Sequence, residues 1–123
     1  MEKFSKFARI AEVEFSDIVL STHNLDIKLR IYLKDKSFID FYFTIKLKTQ
    51  RFSIHWERNH VDGSIYRVDN TPDRKWKKVE SFPLHFHDKT DDKVKGSPFR
   101  LRRNFSLQEI FREFLNFVRK KII

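Results

Sequence analysis

Histidine is the side chain that exchanges protons near neutral pH, and this chain has five. Two of them close the stretch ESFPLHFH, Glu80 to His87. If extended, it sets Phe82, Leu84 and Phe86 on one face and His85 and His87 on the other, with the imidazoles roughly 7 Å apart. Such a pair could share a metal or divide acid and base work. A third histidine, His55, stands with His60 around Glu57 in IHWERNH, and a carboxylate beside an imidazole fixes its tautomer. On RNA, one such group would take the 2′-hydroxyl proton and another would protonate the leaving oxygen. Cations would offset charge on the phosphate. Arg67, two residues before Asp69, shares a strand face with it and could pair with it or reach a phosphate. The segment DNTP, Asp69 to Pro72, reads first as a strand-ending turn, with Asp and Asn capping backbone amides and Pro72 keeping Thr71 extended.

Two basic runs could hold a polyanion. Arg74, Lys75, Trp76, Lys77 and Lys78 form one, and Arg100, Arg102 and Arg103 form the other. Trp76 could stack on a base while its neighbours bind phosphates, or it could anchor a charged loop to the core. The net charge of +9 sits almost entirely in this half of the chain, since residues 74–123 carry fourteen Lys/Arg against six Asp/Glu. That asymmetry points to a polyanion or an acidic protein partner.

Other chemistries are excluded by what the chain lacks. It has no cysteine, so there is no thiolate metal site or cysteine nucleophile. Its two glycines, Gly63 and Gly96, cannot build a phosphate-cradling loop or a Gly-x-Ser-x-Gly elbow. HExxH is absent. Glu12, Glu14 and Asp17 interrupt the first twenty residues, and no run is long enough to span a bilayer, so a soluble cytoplasmic protein is expected.

The elements that must position these residues follow from hydrophobic spacing. Phe4, Phe7, Ala8, Ala11 and Phe15 recur at helical intervals from near Glu2. From Leu25 the period becomes two, through Ile27, Leu29, Ile31 and Leu33. Phe41, Phe43, Ile45 and Leu47 continue it after a turn at Asp35-Lys36-Ser37, and Phe52, Ile54 and Trp56 follow. Trp56 then points inward and His55 away from the aromatic layer. Asp62-Gly63 turns the chain into Ile65 to Asp69. Residues 70–104, with all three prolines, read as an irregular working segment. Ser106 and Glu109 make a capping box ahead of an amphipathic helix. The spacing therefore predicts one α+β domain over 1–123. It would hold an antiparallel sheet of about four to five strands between residues 18 and 69, flanked by an N-terminal and a C-terminal helix.

The order of motifs, with His55-Trp56, Gly63, Tyr66-Arg67-Val68-Asp69-Asn70-Thr71-Pro72 and Ser81-Phe82-Pro83-Leu84-His85-Phe86-His87, resembles the TumE-like family. These are proposed toxins encoded beside a helix-turn-helix antitoxin. The family pattern runs Arg-aromatic-Asp-Asn-x-Pro and then Phe-Pro-His-His-x-His. Here Arg67, Asp69, Asn70, Pro72, Phe82, Pro83, His85 and His87 match, whereas Val68 replaces the aromatic and Leu84 the first histidine. Asp73 and Arg74 stand where histidines often follow the proline.

The resemblance implies a toxin of a toxin-antitoxin module. Joined to the residues above, it leads to an expected action on RNA as a metal-independent ribonuclease using His55, His85, His87 and Arg67. Two alternatives stand beside it: a non-catalytic nucleic-acid or ribosome binder, and a metal-dependent hydrolase built on His85 and His87. The expected partners are RNA or the ribosome, an antitoxin of helix-turn-helix or acidic type, and a second copy of the chain. No cofactor or metal is expected for the first reading.

Overall fold

In a computed structural model, residues 3–46, 49–70, 84–99, 101 and 104–122 are described. The candidate polyanion-binding residues Arg74, Lys75, Trp76, Lys77, Lys78, Arg100, Arg102 and Arg103 lie outside them.

Helix α1 (Ser5–Glu14) is followed by strands β1 (Val19–Asn24), β2 (Leu29–Leu33), β3 (Phe38–Lys46), β4 (Thr49–Arg58), β5 (Ser64–Asp69), β6 (His85–Lys89) and β7 (Val94–Lys95), and then helix α2 (Leu107–Ile122). The strands form one antiparallel sheet in chain order, β1 to β7. The α+β class and flanking helices agree with the sequence reading, but the sheet has seven strands where four to five are predicted. Five lie in the predicted region, and β6 and β7 fall in the segment read as irregular. Their signal is short: β6 has five residues, and one register of Phe86 against His85 and His87 is all its alternation shows.

A second correction concerns Leu25 and Ile27, which the period of two assigns to a strand's buried face. Both are exposed, because Leu25 to Lys28 is the β1–β2 turn. The Leu25 N–H donates to the Lys28 carbonyl at 2.9 Å. Asp26 takes a left-handed φ of 70°, and its N–H donates to Asn24 Oδ1 at 2.9 Å. An Asx turn of this kind overrides the apolar pattern. The turns read at Asp35-Lys36-Ser37 and at Asp62-Gly63 fall where expected, with Lys36 at φ 76° and Gly63 at φ 78°.

Both helices cover the same face of the sheet. Phe7 of α1, Phe41 of β3 and Phe111 of α2 meet with ring centroids 4.8 to 5.2 Å apart. Phe117 of α2 sits edge-on to Tyr66 and Phe86, at 5.4 and 5.5 Å. Trp56, fully buried, stacks on Tyr66 at 5.3 Å and donates its indole N–H to Ser37 Oγ at 2.9 Å. Burying an indole without that acceptor would cost the desolvation of its N–H. The capping box forms as predicted: Glu109 N–H donates to Ser106 Oγ, and Ser106 N–H to Glu109 Oε1, each at 3.1 Å. Arg112 and Glu14 tie α2 to α1 through two 2.8 Å hydrogen bonds.

Candidate active site

With helices on one face, strand alternation sends the chain's polar residues to the other. Registers β1 to β6 align His23, Arg30, Asp40, His55, Arg67 and His87 as one row across that face. The neighbouring row holds Tyr42, Ser53, Asp69 and His85.

Where these two rows cross β5 and β6, four side chains converge. His85 Nε2 lies 3.1 Å from Asp69 Oδ1, and His87 Nε2 lies 3.7 Å from Asp69 Oδ2. Arg67 Nε–H donates to Asp69 Oδ2 at 3.3 Å, while its Nη2 donates to His87 Nε2 at 3.1 Å. The two imidazole centroids are 5.1 Å apart. Asp69, His85 and His87 are all buried, and Arg67 is the half-exposed rim of the group. The turn between β6 and β7 completes it: the His87 Nδ1–H donates to the Asp91 carbonyl at 2.9 Å, and Asp91 Oδ1 lies 3.4 Å from Arg67 Nη1.

This network assigns the tautomer of His87. Nδ1 carries the proton, and the Nε2 lone pair faces Arg67 and Asp69. Burial pushes the His87 pKa down from its ordinary value of 6.5. The carbonyl of Asp91 and the charge of Asp69 oppose that shift, whereas Arg67 and His85 add to it. A neutral imidazole with an inward lone pair is the form that a general base or a metal ligand requires. Ligand atoms of Asp69, His85 and His87 all lie within 4.8 Å of one another, so the three could chelate an ion. Arg67 competes for that place, because its guanidinium already neutralises Asp69 and caps the His87 lone pair.

His55 is not in this cluster. It stands opposite Arg67 on β4, half-buried, with its Nε2–H donating to Glu57 Oε1 at 3.1 Å. His55 and His87 thus flank Arg67 from either side, two strand spacings or roughly 10 Å apart at the backbone. Further along the row, Asp40 is held by Lys28 and by both Nε and Nη2 of Arg30. Burial raises Asp40, but those hydrogen bonds outweigh it and keep the carboxyl below the usual range. His60 turns away and bonds the Lys36 carbonyl.

Asp69 is the site residue that the sequence reading left in a turn. Its signal was the alternation that places it on the face of Arg67, two residues before it.

The chain matches the family model described as Toxin TumE over residues 2–122, essentially its whole length. It belongs to the TumE toxin family. Neither the comparison with curated proteins nor that with solved structures finds a match. Membership makes the chain a toxin-family protein, with an antitoxin as the partner that such a family implies. No helix among the described residues is long and apolar enough to cross a membrane.

Proposed function

We propose that this toxin-family protein is a metal-independent ribonuclease that cleaves RNA by internal attack of a 2′-hydroxyl. The supporting observation is the cross-strand triplet His55, Arg67, His87. In-line displacement at phosphorus needs the attacking and leaving oxygens on opposite sides, and here a cation has one imidazole on each side. The incoming phosphate binds Arg67, the accessible rim of the cluster, and draws its guanidinium off His87. His87 Nε2 then takes the 2′-hydroxyl proton as O2′ attacks phosphorus. His55, held by Glu57, acts as the general acid and gives a proton to the departing 5′-oxygen. The P–O5′ bond breaks, leaving a 2′,3′-cyclic phosphate and a 5′-hydroxyl. Asp69 and His85 hold Arg67 and His87 in place, and the buried setting strengthens every charge interaction. The basic runs Arg74 to Lys78 and Arg100 to Arg103 would supply affinity for the rest of the polyanion.

Metal chemistry on Asp69, His85 and His87 is the second reading, favoured by their convergence. Arg67 argues against it, since a cation would have to displace a guanidinium that makes two hydrogen bonds there. Expression of the chain in cells, with total RNA examined for cleavage, tests the proposal. Growth arrest accompanied by fragmented RNA supports it, and arrest with intact RNA removes the nuclease while leaving toxicity.

A further inference from the structure

The open face also holds residues that the acid-base chemistry does not use. Tyr42 lies in the row of Ser53, Asp69 and His85 and is 40% exposed. Ser53 is a small side chain in register between Tyr42 on one side and the Asp69–His85 cluster on the other. Two residues along β4 from Ser53 is Arg51, opposite Thr44 and on the same face. Lys28 and Arg30 are committed to Asp40, and Arg67 to Asp69. Arg51 makes no ion pair among the described residues. Lys3 approaches the Tyr42 ring, 5.9 Å from its centroid. An exposed aromatic ring beside a small residue and a cation with no ion pair among the described residues is the make-up of a stacking site for single-stranded nucleic acid, where the ring takes a base and the cation the next phosphate.

We propose that Tyr42 stacks the nucleobase immediately 3′ of the scissile phosphate, with Arg51 binding the phosphate that follows it. The proposal rests on the ribonuclease reading for its polarity. His55 protonates the 5′-oxygen of the 3′ nucleotide, and Tyr42 is the diagonal neighbour of His55 across the β3–β4 ladder, about 7 to 8 Å away. The 3′ nucleotide leaves past His55 and therefore over Ser53 toward Tyr42. Stacking accepts any base, so the site selects unpaired RNA and not a particular sequence.

The test is binding of a fluorescein-labelled oligouridylate octamer with 2′-O-methyl riboses, which cannot be cleaved, to the full-length chain and its variants. Tyr42→Ala should weaken binding by about five- to a hundredfold, with Tyr42→Phe close to the parent. Arg51→Gln should flatten the salt dependence of the affinity by about 0.7 in log-log slope, one phosphate's worth on a single strand. Thermal melts of these variants should match the parent, since Tyr42 is exposed. If Tyr42→Ala and Arg51→Gln bind as the parent does, the subsite is wrong even if cleavage of ordinary RNA is intact. Failure of the parent itself to bind the octamer also overturns it. If binding follows the predicted pattern while unmodified RNA is never cleaved, the stacking site stands and the nuclease reading falls.

Discussion

Arg67 and His87 face each other directly across the β5–β6 ladder, and the guanidinium Nη2 donates to His87 Nε2 at 3.1 Å. The same guanidinium binds Asp69 through Nε. One cation therefore guards the lone pair of the proposed base and neutralises the buried carboxylate beside it.

Arg67→Lys keeps the charge but loses the planar fork that reaches both partners. Cleavage should fall by more than about a hundredfold, because the phosphate is no longer oriented between the two histidines. Stability should drop by about 1 to 3 kcal/mol, as Asp69 or His87 loses a bonded donor. Denaturant unfolding alongside the rate assay checks both; a lysine variant with full activity would mean that only the charge matters.

The depressed pKa of His87 gives the activity profile its sign. The ring is neutral at pH 7, so the limb of the kcat/KM profile that His87 sets as base should stay at its plateau down to about the ordinary value of 6.5 and fall only at lower pH. Stability follows the same group. The unfolded histidine gains its proton at a higher pH than the folded one, so the contribution is complete above about pH 6.5 and is lost as pH falls from there toward the folded value. Melting temperatures between pH 7 and pH 5 should drop less for His87→Asn than for the parent chain.

His55 and Trp56, adjacent in sequence, should separate activity from stability. Trp56 is fully buried, stacked on Tyr66 and bonded to Ser37. Trp56→Ala should cost about 3 to 5 kcal/mol, enough to unfold much of a marginal domain. His55→Ala gives up one partly exposed hydrogen bond to Glu57, worth within about 1 kcal/mol. It should nevertheless lose cleavage by about a hundredfold or more. An active His55→Ala would restrict the chemistry to the β5–β6 cluster.

A cap prediction tests the fold independently of function. Ser106→Ala removes the acceptor of the Glu109 N–H and should lower stability by about 1 kcal/mol with no effect on RNA cleavage. Equal thermal melts for Ser106→Ala and the parent would show that packing of α2 alone sets its start.

Period and turn chemistry made the middle of the sheet legible from sequence. Alternation through Phe41, Ile54 and Trp56 needs no partner to be read, and the same alternation sends His55 to the opposite face. The outer strands were harder. β6 and β7 together hold seven residues, too few for a period to stand out, and Leu25 and Ile27 continued a pattern that an Asx turn at Asn24 had already ended. Arg67, His85 and His87 could be named from residue type, but the role of Asp69 depended on the pairing of β5 with β6. That pairing joins residues sixteen to twenty-four positions apart and carries no local signal. The contribution of Asp91 is less legible still, since it bonds His87 through its backbone carbonyl, a group every residue has.

Cleavage of a 5′-labelled single-stranded RNA by the purified chain in the presence of a strong chelator tests the central claim most directly. The account predicts fragments ending in 2′,3′-cyclic phosphate, produced at the same rate with and without chelator and absent with His87→Asn. Cleavage that stops with chelator and returns on adding zinc or manganese would contradict it and give Asp69, His85 and His87 to a metal; no cleavage of any RNA would leave the row across the sheet as a binding surface alone.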